Sequence, residues 1–67
     1  MTVARITEIS SESAKSFDDA LKQGIARANK TLKNVKSAWI ADQEVSIDSK
    51  GKIKTYKVRL KVTFVLE

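Results

Sequence analysis

The sequence predicts an α+β fold with the element order β-α-β-β, and three observations carry that reading. Only one stretch, residues 13–35, has a helical period. Residues 53–67 alternate apolar and polar positions over their length. A polar turn with a late glycine, Asp48-Ser49-Lys50-Gly51-Lys52, joins that last segment to a β-rich one before it.

The elements follow in chain order. Val3, Ile6, Thr7 and Ile9 mark a first strand over about residues 2–9, and residues 10–12 read as the turn out of it. For the helix, a rotation of 100° per residue gathers Phe17, Ala20, Leu21, Gly24, Ile25, Ala28, Leu32 and Val35 within an arc of roughly 140°. Asp18, Asp19, Lys22, Gln23, Lys30 and Lys33 fill the other side. Ser13 and Ser16 both qualify as N-caps. Ser13 is preferred because Ala14 and Lys15 form helix readily, which gives a helix over about residues 14–34. Asp18 and Asp19 suit its positive start. A second strand spans about residues 37–48. Ala38 and Ile40 share one parity and Val45 and Ile47 the other, so a β-bulge near residues 42–44 is expected. The third strand, about residues 52–66, sets Tyr56, Val58, Leu60, Val62, Phe64 and Leu66 against Lys57, Arg59 and Lys61.

Composition narrows the function. The 67 residues suffice for one domain, spanning residues 1–67, with neither cysteine nor histidine. A thiolate metal site, a disulfide and a histidine general base are therefore excluded. No constellation of residues suggests catalysis, and the reading is of a non-enzyme. The net charge is +5, compatible with an acidic partner or with a solvated basic surface. No apolar run approaches the roughly 20 residues of a membrane span, and the first residues carry no hydrophobic signal core, so a cytoplasmic protein is expected. A domain of this size buries only about 60% of its unfolded surface. A helix of about 33 Å cannot cover strands approaching 46 Å, and copies of the same chain are the economical cover.

Several side chains have two readings each. Trp39 is a platform for a planar ring or an intersubunit packing residue. Lys57, Arg59 and Lys61 form a phosphate-binding ladder, for nucleic acid or another phosphorylated ligand, or a wet face paired with Asp42 and Glu44. A nucleic-acid module would also want more exposed aromatics than this chain offers, which counts against it. Asp42, Glu44 and Asp48 are candidate hard-cation ligands, although calcium needs six to eight oxygens and the EF-hand spacing is missing. Arg27 at the edge of the apolar helix face pins a neighbour or snorkels over the core.

In these pieces and their order the chain resembles the dodecins. The resemblance rests on Thr7-Glu8-Ile9-Ser10-Ser11-Glu12-Ser13, on Ser16-Phe17, on the helix run from Gly24 to Leu32, on Asp42-Gln43, Val45 and Ile47, and on the last strand from Thr55 to Glu67. It implies a three-stranded antiparallel sheet curled around one helix and a hollow homododecamer. It also implies storage or quenching of flavins such as riboflavin, lumichrome or flavin mononucleotide (FMN), and in some bacterial members binding of coenzyme A. The family's stacking tryptophan falls here on Ser37, with Trp39 two residues later on the same strand face. Its flavin-edge glutamine falls on Lys57. Either Trp39 stacks a flavin from its shifted position, in a site with Ser37, Gln43 and Lys57, or the chain is a dodecin shell without the flavin site, with a structural or calcium-binding role. The Asp48-Ser49-Lys50-Gly51-Lys52-Ile53 hairpin is similar to that of the calcium-dodecin subgroup, which also lacks the early tryptophan.

Overall fold

A computed structural model describes residues 2–66. Met1 and Glu67, the ends of the expected span, lie outside the described residues. Strand β1 (Ala4–Ser13), helix α1 (Phe17–Thr31), strand β2 (Val35–Ile47) and strand β3 (Ile53–Val65) follow one another in the expected order. The sheet is antiparallel throughout, with β3 in the centre and β1 and β2 at its two edges.

The alternation in β3 makes the core. Val58, Leu60 and Val62 are 0% exposed and meet Ala20 and Ala28 of the helix. Burying each of these three side chains stabilises the fold by about 1.5–3 kcal/mol. Ile9, Phe17, Leu21, Ile25, Leu32, Val35 and Ala38 complete the cluster. The helix lies close because its contact stripe is small: Ala20, Gly24 and Ala28 recur every four residues. A Cβ on Gly24 would come within 3.1 Å of both Leu60 Cδ1 and Ser11 Cβ. At its start, Phe17 meets Tyr56 edge-to-face, with ring centroids 5.2 Å apart.

Strand β1 continues to Ser13, so residues 10–12 are strand and not turn. The central strand offers partners all the way, from Ser10 opposite Arg59 to Ser13 opposite Tyr56, and that pairing outweighs the turn preference of serine. Ser11 and Ser13 lie on the helix side, where their small size leaves room for the helix. The N-cap is Ser16, not Ser13: its extended backbone (φ −171°) lets its hydroxyl accept the Asp19 N–H at 2.9 Å. Ser13 is engaged otherwise. Its hydroxyl accepts the Lys15 N–H at 2.9 Å and donates to the Asp19 carboxylate at 2.6 Å.

The helix ends at Thr31 because Leu32 turns extended (φ −113°) and folds back over the core. Asn34, at φ 60°, reverses the chain into β2, and its carbonyl accepts the Val65 N–H at 3.1 Å. A helix of 15 residues is about 22 Å long, against about 43 Å for the 13 residues of β3. The helix therefore covers about half of the sheet's length, a larger deficit than the sequence suggests. Ile40, Ile47 and Ile53 remain 42–55% exposed.

The bulge in β2 falls slightly earlier than expected. Ile40 pairs with Leu60 and Asp42 with Arg59, so Ala41 is the extra residue. Two further register breaks flank it, one between Val35 and Ser37 and one between Ser46 and Ile47. In the turn, Asp48 Oδ1 accepts the N–H groups of Lys50 and Lys52 at 2.9 and 3.0 Å, and Gly51 supplies the left-handed φ of 81°.

Candidate ligand-binding site

The face of the sheet turned away from the helix carries most of the candidate residues, and strand parity puts them there. Odd-numbered β3 residues point to it: Lys57, Arg59, Lys61 and Thr63. Direct cross-strand partners share a face. From β1 this brings Ile6, Glu8, Ser10 and Glu12, and from β2 it brings Ser37, Trp39, Asp42 and Glu44.

The charges on this face pair internally. Lys57 Nζ lies 3.5 Å from Glu44 and 3.9 Å from Glu12. Arg59 lies 3.2 Å from Asp42 and 3.9 Å from Glu8. Each exposed pair contributes up to about 1 kcal/mol, less in salt. Two of the three cations of the basic ladder are thus held between carboxylates of the edge strands. Lys61 does something else. Its ammonium stands 5.8 Å from the centroid of the Trp39 ring. Trp39 itself is 47% exposed at the sheet edge, with Ser37 beside it on the same face.

Gln43 does not join Trp39 within one chain. The extra residue at Ala41 inverts the parity of β2, so Gln43 pairs with Val58 and points to the helix side. The same inversion carries Asp42 and Glu44 onto the face of Trp39. Lys57 is on that face but is occupied by Glu12 and Glu44. The three candidate metal ligands are not brought together. Asp42 and Glu44 bind cationic side chains, and Asp48 accepts backbone N–H groups of the turn. Among the described residues no three acidic side chains form a metal-binding group.

A recess of about 540 Å³ lies elsewhere, between β1 and α1. Arg27, Gln23 and Thr31 of the helix face Thr7, Ile9 and Ser11 across it. A smaller one of about 210 Å³ opens beside Ser37, between the start of β2 and Ile25 and Asn29 of the helix. Asp19, at the helix start, has its acidity displaced. The Ser13 hydroxyl, helped by Gln23, Lys15 and Lys22, holds its carboxyl below the usual 3.8 against a smaller opposing effect of burial.

Sequence reasoning missed the parts played by Glu8 and Glu12 and the contact of Lys61 with Trp39. The signal for the first was present: two glutamates four apart on a strand share a face, and an antiparallel pairing with β3 sets them against the basic side.

Comparison with known proteins finds relatives over nearly the whole chain. A family model described as Dodecin matches residues 3–67. The calcium dodecin of Mycobacterium tuberculosis is 31% identical over 64 residues, covering 96% of this chain and 89% of that protein. Among solved structures, the dodecin of Streptomyces davaonensis superposes with a TM-score of 0.92 at 30% identity, over 98% of this chain and 96% of that one. A variant of the Thermus thermophilus dodecin gives 0.91 at 30% identity, over 100% and 98%.

Proposed function

The chain belongs to the dodecin family, and on that premise we propose that it is a non-catalytic binding protein that assembles into a closed shell of its own copies and sequesters a planar ligand of the flavin type. One observation supports this most: a half-exposed indole, Trp39, on a sheet face where two of the three β3 cations already have partners. A solvent-facing tryptophan at the edge of a three-stranded sheet costs free energy until something covers it. A planar ring and a neighbouring copy together do so. The ring stacks on the indole, with Ser37 and Thr63 at hand as polar neighbours, and the neighbour closes the seam. Holding the ring there keeps it from water and brings its excited state into contact with an electron-rich indole that quenches it. The family points to a homododecamer, and a cytoplasmic location is part of the same reading.

The test is a titration of riboflavin fluorescence with the purified assembly. Quenching at micromolar protein supports the reading, and fluorescence that stays unchanged rejects it.

A second reading, a shell with a calcium role, draws on the name of the M. tuberculosis relative and on the Asp48–Ile53 hairpin. Carboxylates from more than one copy would have to converge, because Asp42 and Glu44 are engaged within the chain. A melting temperature raised by calcium would favour it.

A further inference from the structure

We propose that Lys61 is a specificity-determining residue of this site, selecting planar rings that carry a negative substituent, such as a phosphorylated flavin, over neutral ones. The inference rests on the flavin-type reading above and sharpens it.

The argument is one of charge allocation across the helix-free face. Register places Glu8, Lys61 and Trp39 side by side on β1, β3 and β2. Glu8 is the natural partner of Lys61, yet its carboxylate lies 3.9 Å from Arg59 Nε instead. Arg59 also holds Asp42, and Lys57 holds Glu12 and Glu44. All four carboxylates of the face are thus shared by two cations. Among the described residues no carboxylate oxygen lies within 4.0 Å of Lys61 Nζ. The ammonium rests at 5.8 Å from the Trp39 centroid, within cation–π range, as the cation without an anion on this face.

Two ring classes fare differently here. A neutral, electron-poor ring that stacks on the indole competes with the ammonium for the same π-face and offers no anion in exchange. A ring with a phosphate on a flexible tether stacks equally well and gives Lys61 the carboxylate-like partner it lacks. The ring then supplies affinity, and Lys61 reads the charge.

The experiment compares FMN with riboflavin by fluorescence titration of the intact assembly at low and high salt. FMN is expected to bind about five- to tenfold tighter at low salt, and the gap is expected to narrow as salt rises. Inorganic phosphate added as a competitor weakens FMN and leaves riboflavin unaffected. Lys61→Gln abolishes the gap, and Lys61→Arg retains it. Equal affinities in the unmodified protein overturn the role of Lys61 and leave the flavin-type reading standing. So does a Lys61→Gln variant that weakens both ligands alike, since that marks a structural residue. If neither flavin is quenched, both readings fall.

Discussion

The two faces of the sheet are made by one strand, yet they are finished in different ways. On the helix side, Val58, Leu60 and Val62 are completely covered by a single helix of small contact residues. On the other side, Lys57, Arg59 and Lys61 alternate with them and are held by side chains from the edge strands, with Trp39 left half in solvent. The first face is closed by apolar packing inside the chain. The second is only neutralised, and neutralising charge does not hide an indole. A fold this small closes one side alone, and the side it leaves open is where a ligand or another copy adds most.

Substitutions should separate the faces, and Leu60→Ala should have the largest effect. It empties the centre of the closed face and should lower stability by about 2–5 kcal/mol, read from denaturant unfolding. Gly24→Val comes next. Its side chain would enter the 3.1 Å approaches to Leu60 and Ser11, and a loss of about 1–3 kcal/mol is expected from the same measurement. On the open face the effects should shrink. Arg59→Met removes contacts to Glu8 and Asp42 and should cost about 1 kcal/mol or less, with a difference that fades in high salt. A larger, salt-independent loss would show that this face is packed and desolvated like the other. Trp39→Ala should abolish flavin quenching while shifting stability by less than about 1 kcal/mol per chain. The smallest effect concerns pH. The Asp19 carboxyl titrates lower folded than unfolded, so its contribution is complete above 3.8 and is lost as the pH falls through the depressed folded value. Below about pH 4 the melting temperature of the wild type should fall more steeply than that of Asp19→Asn, and parallel curves would count against the Ser13–Asp19 bond.

Much of the closed face is legible in the sequence, because its signals are periodic. The even residues of β3 and the helix stripe around Ala20, Gly24 and Ala28 declare their own partners. The errors occur where local preference yields to pairing. Ser10, Ser11 and Glu12 read as a turn, but a central strand that extends past them keeps them in the sheet. Ser13 reads as a cap, but its hydroxyl is drawn to Asp19. On the open face, the presence of a bulge in β2 is foreseeable from the clash of parities, whereas its position is not. Moving it to Ala41 exchanges Gln43 for Asp42 and Glu44 beside Trp39. One extra residue thus rewrites the composition of the candidate site. The contact of Lys61 with Trp39 needs the register of all three strands before it can be seen at all.

The register breaks between β2 and β3 bear on how copies can grow together. Both outer strands present unpaired amide and carbonyl groups, and a straight edge of that kind invites another strand and then another, without end. A strand with extra residues at Lys36 and Ala41 is a poor template for such addition. An edge bent in this way disfavours open-ended strand addition, and with it growth into a fibril.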